Sequence, residues 1–93
     1  MLSFMVPAFN EEKAICCCLE SIKTAASANP DIGATEIIVT DNNSIDLTAQ
    51  IATEMGATVV FEAVNQISRA RNAGGAVASG EWVIFIDADS ELN

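Results

Sequence analysis

Glu36-Ile37-Ile38-Val39-Thr40-Asp41-Asn42-Asn43-Ser44 is the stretch that decides the fold. Its apolar part, Ile37-Ile38-Val39, is continuous rather than alternating. That pattern suits a strand covered on both faces, as in a parallel sheet. It then breaks into polar turn residues. Working outward, residues 36–40 form one of four apolar runs of strand length, with residues 2–6, 57–62 and 81–86. All four are rich in Val, Ile or Phe. Trp82-Val83-Ile84-Phe85-Ile86 is again unbroken.

Helical patterns fill the gaps. From about residue 11 to 28, Ile15, Cys18, Leu19 and Ile22 make an i, i+3, i+4, i+7 stripe. Asn10 is the expected N-cap, Glu11 and Glu12 suit the first turn, and Pro30 lies just beyond the end. A second helix is expected after Asn43 or Ser44 as cap, with Leu47, Ile51 and Met55 as its stripe and Gly56 as its stop. A third is expected over about residues 66–79, ended by Gly80. Its Gly74-Gly75 pair costs about 1 kcal/mol per glycine relative to Ala, which points to a close backbone approach. The order βαβαβαβ with right-handed crossovers predicts an α/β fold, a three-layer parallel sheet with helices on both faces.

The chain has 93 residues, enough for one small domain or part of one. Its formal net charge is −9, from 13 acidic and 4 basic residues. Such a chain repels phosphate backbones, so nucleic acid is excluded as a partner. No run approaches the roughly 18 apolar residues of a membrane span, and the start lacks a basic leader. These features predict a cytoplasmic protein, with peripheral membrane attachment left to sequence outside this chain. Cys16, Cys17 and Cys18 are consecutive and lack metal-site spacing, and there is no histidine to activate a thiol. They read as free thiols in a reducing compartment.

In an open parallel sheet, ligands bind at the carboxyl ends of the strands. The segments that follow the four runs are polar. They are Pro7-Ala8-Phe9-Asn10-Glu11-Glu12, then Asp41-Asn42-Asn43-Ser44-Ile45-Asp46, then Glu62-Ala63-Val64-Asn65 leading to Arg69 and Arg71, then Asp87-Ala88-Asp89. In an extended segment, Asp87 and Asp89 point to one side. Two carboxylates so placed suit Mg²⁺ or Mn²⁺, although two turn aspartates also coincide by chance. Asp41 and Asn42 can read a base edge or ribose hydroxyls; helix capping and Asx-turns are the plainer alternative, open equally to Asn43, Ser44 and Asp46. Recognition is expected of one of Asp41 and Asn42, and capping of the rest. Arg71 can reach a base or phosphate, or form an ordinary ion pair.

Taken together, the ordered motifs Val6-Pro7-Ala8-Phe9-Asn10-Glu11-Glu12, Glu36–Thr48 as a block, Ala70-Arg71-Asn72-Ala73-Gly74 and Phe85-Ile86-Asp87-Ala88-Asp89 resemble the family 2 glycosyltransferases. The resemblance spans the chain. It implies a GT-A, Rossmann-like nucleotide-binding fold, a nucleoside-diphosphate sugar (UDP- or GDP-linked) as donor, and a divalent metal, Mg²⁺ or Mn²⁺. Carried over by position, Pro7, Ala8 and Glu11 line the base pocket, and Asp41, with Asn42 beside it, holds the nucleoside. Arg71 contacts the nucleotide. Asp87 lies near ribose and metal, and Asp89 binds the metal. The family usually inverts the anomeric centre by direct displacement. Where this chain has Asn42 the family often has a second Asp, which bears on base reading and donor choice.

The same resemblance makes residues 1–93 the nucleotide-sugar-binding part of a transferase domain. The acceptor-binding part and the catalytic base are then expected beyond Asn93, and this stretch alone is expected to bind nucleotide without transferring sugar. The last strand is expected to be an uncovered apolar edge that invites self-association. Three rivals share parts of the pattern. A dinucleotide-binding oxidoreductase needs a glycine-rich first turn, which Pro7-Ala8-Phe9-Asn10 does not supply. A haloacid dehalogenase-like phosphatase also carries a DxD after a strand, but Glu91 stands where it has Thr or Val. A non-catalytic nucleotide-binding or assembly module is the rival of another class.

Overall fold

The computed structural model describes residues 2–62 and 82–88. Strand β1 (Leu2–Ala8) leads into helix α1 (Ile15–Ala28) and a short 3-10 turn (Pro30–Ile32). Strand β2 (Thr35–Asp41), helix α2 (Thr48–Glu54), strand β3 (Thr58–Phe61) and strand β4 (Trp82–Phe85) follow. All strand pairs are parallel, in the order β3-β2-β1-β4. This is the α/β parallel architecture the continuous apolar runs predict. The expected third helix, residues 66–79, lies outside the described residues.

The core forms where α1 meets the sheet. Phe4, Val6, Ala8, Val39, Ile86 and Ala88 of the sheet side pack with Ile15, Cys18, Leu19 and Ile22 of α1 and Ala52 of α2. The predicted α1 stripe is therefore the buried one. Cys18 is buried, Cys16 half-buried and Cys17 exposed, as three successive helical positions must be. The alternate strand residues Ser3, Met5, Ile38 and Thr40 are also buried, so β1 and β2 are covered on both faces, whereas Val83, Ile84 and Phe85 of β4 are exposed, contrary to the coverage expected of that run. The Lys23 ammonium donates to the Met55 carbonyl at the C-terminal end of α2, which joins the two helices.

Two helix starts differ from expectation. Helix α1 begins at Ile15, with Ala14 as N-cap and no side-chain cap bond; Glu11 and Glu12 precede it. Asn10 is not its cap. It sits at φ 52°, a left-handed conformation that Asn tolerates better than most residues. Helix α2 begins at Thr48, not after Ser44, with Leu47 as N-cap. Leu47 is thus outside the helix and exposed, and the fully buried positions are Thr48 and Ala52. In both cases the polar residues expected to cap a helix are spent on contacts between loops. Gly56 does end α2, at φ 88°, with its N–H on the Thr53 carbonyl.

Pro7 has a structural reason to be tolerated inside a strand. The Met5 carbonyl accepts from Ile86 N–H on the β4 side, and the Ala8 carbonyl accepts from Asn42 N–H on the β2 side. Alternation then turns the Pro7 nitrogen toward β4, where pairing has ended at Met5 opposite Phe85. No ladder bond is lost there. Among the described residues, no helix is long and apolar enough to cross a membrane.

Candidate nucleotide-binding rim

Because every strand is parallel, Ala8, Asp41, Phe61 and the Ile86-Asp87 segment end at one rim. Strand β1 continues through α1 to β2 on one side, while β4 lies on its other side. The strand order therefore reverses between β1 and β4, where a crevice opens in this class of sheet. Pro7 and Ala8 flank that crevice on one side and Asp87 on the other. Neighbouring strands lie about 4.8 Å apart, so β2 and β4 stand about 10 Å from each other across β1. Asp41 and Asp87 thus share one rim.

The loops after β1 and β2 are bonded to each other. Asn10 N–H donates to Ser44 Oγ (2.9 Å), Glu11 N–H to Thr48 Oγ1 (2.9 Å) and Glu12 N–H to Asp46 Oδ2 (3.2 Å). In the reverse sense, Ile45 N–H donates to Asn10 Oδ1 (2.9 Å) and Leu47 N–H to Glu12 Oε2 (3.3 Å). Asp46 Oδ1 also accepts from Thr48 N–H (3.0 Å) and from the Thr48 hydroxyl. Desolvation works to raise the Asp46 carboxyl. The hydrogen bonds from the Thr48 hydroxyl and from backbone N–H groups outweigh it and hold the group below its ordinary value of 3.8.

The predicted site residues fall as follows. Asp41 is 6% exposed; its Oδ1 accepts from Ser44 N–H (3.1 Å), and among the described residues no donor reaches its Oδ2. Asn42 is buried, and its Nδ2 donates to the Glu62 carbonyl (3.0 Å), which anchors the end of β3. Pro7 and Glu11 are half-buried, and Ala8 is buried. Asp87 is exposed, and its carbonyl takes the Cys18 thiol at 3.6 Å. Arg71 and Asp89 lie outside the described residues. Desolvation raises the Cys16 thiol, and the Glu20 carboxylate adds to that, which favours the protonated thiol at neutral pH.

By residue type and position Asp46 and Thr48 suit a cap or a sequence motif; the structure instead uses them between the loops. The available signal was the Asp46-x-Thr48 spacing, which suits an Asx-turn, together with a surplus of short polar side chains in both loops. The rim is strongly acidic, with Glu11, Glu12, Asp41, Asp46, Glu62 and Asp87 on the described loops and strand ends. Among the described residues no three metal-binding side chains cluster. That arrangement still fits Mg²⁺ or Mn²⁺. Such ions are commonly held by one or two carboxylates plus substrate phosphates and water, and Asp87 offers an accessible carboxylate at the crevice.

The sequence signature described as glycosyl transferase family 2 matches residues 3–93. The chain belongs to this family. It is 35% identical to the 4,4'-diaponeurosporenoate glycosyltransferase of Staphylococcus haemolyticus, covering 99% of this chain and 25% of that protein. The crystal structure of S. aureus TarS 1-349 superposes with a TM-score of 0.84 at 31% identity, over 99% of this chain and 28% of that one. TarS has also been solved with UDP and with UDP-GlcNAc. Glucosyl-3-phosphoglycerate synthase of Mycobacterium tuberculosis, solved with Mn²⁺, UDP and phosphoglyceric acid, superposes at a TM-score of 0.73 and 32% identity, over 95% of this chain and 32% of that one. The chain thus spans about a quarter to a third of these relatives.

Proposed function

We propose that residues 1–93 form the donor-binding part of a glycosyltransferase that moves a sugar from a nucleoside-diphosphate sugar to an acceptor. The observation that carries this reading is the convergence at one rim of Pro7, Ala8, Asp41 and Asp87 with two loops fixed to each other. Family membership and the UDP complexes of the structural relatives support it. They lend no support to a phosphatase. UDP is the favoured nucleotide, with GDP tested beside it.

In this reading Asp41 Oδ2 accepts from the base or ribose, while Pro7, Ala8 and Glu11 shape the pocket beside it. Asn42, already bonded to the Glu62 carbonyl, holds the pocket wall. Arg71 contacts the nucleotide. The diphosphate then lies over the β1–β4 crevice near Asp87. Unscreened carboxylates oppose it: two unit charges 4 Å apart repel by about 4 kcal/mol at an effective dielectric of 20. A divalent cation held by Asp87 and Asp89 would neutralise the diphosphate and stabilise its departure. The reaction proceeds with inversion by one displacement. The three free cysteines suit a cytoplasmic location.

The test is thermal-shift titration with UDP, GDP and dTDP, each with and without Mn²⁺. Metal-dependent stabilisation by UDP is expected. Stabilisation by none of the three, in either condition, would refute the nucleotide reading.

A further inference from the structure

We propose that Thr48 and Asp46 are positioning residues that lock the loops after β1 and β2 into one preformed unit before nucleotide arrives. The inference rests on the nucleotide-binding reading and extends it to residues that touch no ligand. Five hydrogen bonds join the two loops across 34 to 37 residues of sequence. Each pairs a backbone N–H of one loop with a side-chain acceptor of the other. Three run one way and two the other, so neither loop can move away without breaking bonds of both senses.

Thr48 is the junction of this network. Its hydroxyl is fully buried, accepts from Glu11 N–H and donates to Asp46 Oδ1. Asp46 uses its second oxygen for Glu12 N–H, and Glu12 returns a carboxylate oxygen to Leu47 N–H. An ordinary helix cap satisfies its own helix. These bonds instead connect the segment bearing Glu11 to the segment bearing Asp41, which are the two loops a nucleoside must touch together. Asp41 Oδ1 accepts from Ser44 N–H, and Ser44 accepts from Asn10 N–H, so the base-side carboxylate is joined to the same unit. A ligand that meets loops already joined does not have to order them, and its affinity rises accordingly.

The experiment is UDP titration by calorimetry in Mn²⁺, with amide hydrogen exchange on the free chain, for wild type, T48V, T48S and I22V. Thr48→Val keeps the shape and removes both bonds; Thr48→Ser keeps the hydroxyl. Ile22→Val loses stability in the α1 core, away from the loops. T48V is expected to bind UDP about tenfold more weakly and to exchange the Glu11, Glu12 and Leu47 amides faster as a group. T48S should restore both readouts, and I22V should bind as wild type does. T48V binding as tightly as wild type would overturn the inference while leaving the nucleotide reading intact, and so would equal weakening in I22V. A wild-type chain that binds no UDP would instead overturn the nucleotide reading, and this one with it.

Discussion

The two sides of the β1 strand are built differently. On the β2 side, the rim loops are joined by bonds between side chains and backbone, and α1 and α2 cover the strands below. On the β4 side, Val83, Ile84 and Phe85 are exposed, and Phe85 shows 47% of its surface. Among the described residues β4 has a strand neighbour on one edge only. The difference separates two tasks. In the proposed reading, the nucleoside side is finished within the described residues. In the same reading the diphosphate side is left open, for ligand and cation.

The largest expected effect attacks the core under the finished side. Leu19 is fully buried in α1, and Leu19→Ala should cost about 2–5 kcal/mol. For a domain this small that is a large share of the total. Ile84→Ala on the open side should stay within about 0.5 kcal/mol. Urea unfolding of the two variants checks this, and equal losses would erase the distinction between the sides. Next comes Asp41→Asn. The amide oxygen can still accept from Ser44 N–H, so folding should hardly change. A ligand bond to a charged group should be lost, about 2 kcal/mol or roughly thirtyfold in UDP affinity by calorimetry.

A third prediction sharpens the view of the open side. Val83 and Ile84 of β4 are exposed apolar residues, and we propose that the 93-residue chain associates with a second copy through this face. Ile84→Lys should weaken that association at least tenfold, an effect of about 1.4 kcal/mol. Light scattering over a concentration series would detect it. A wild-type chain that stays monomeric at high concentration would count against self-association.

Most of the fold was legible in sequence because the strands announce themselves. Ile37-Ile38-Val39 and Trp82–Phe85 are unbroken apolar runs of parallel strands; the first lies in a covered strand as expected, whereas Val83, Ile84 and Phe85 of the second are exposed. The α1 stripe was equally clear, since Ile15, Cys18, Leu19 and Ile22 face one core. What stayed hidden was the use of polar loop residues. Asn10, Ser44 and Asp46 are good caps by type, and local chemistry alone favours that use. Their real partners lie 34 or 35 residues away in the other loop, a pairing set by the β1–β2 register rather than by near neighbours. Of the site, the Asp41 and Asp87 positions follow directly from parallel strand ends. The network that supports Asp41 does not.

The smallest effect tests the finished side from its electrostatics. The Asp46 carboxyl lies below 3.8 in the folded chain because hydrogen bonds from Thr48 and from backbone N–H groups outweigh desolvation. A lowered folded value means stability present above the unfolded value and lost as pH falls through the folded one. Asp46→Asn removes this titration while one amide oxygen can still accept. Wild type should therefore melt slightly above the Asn variant at neutral pH, with the gap closing below about pH 4. Thermal melts of both chains from pH 3 to 7 measure it. A gap that does not shrink at all as pH falls from 7 to 3 would mean that the Asp46 charge contributes nothing to holding the loops together.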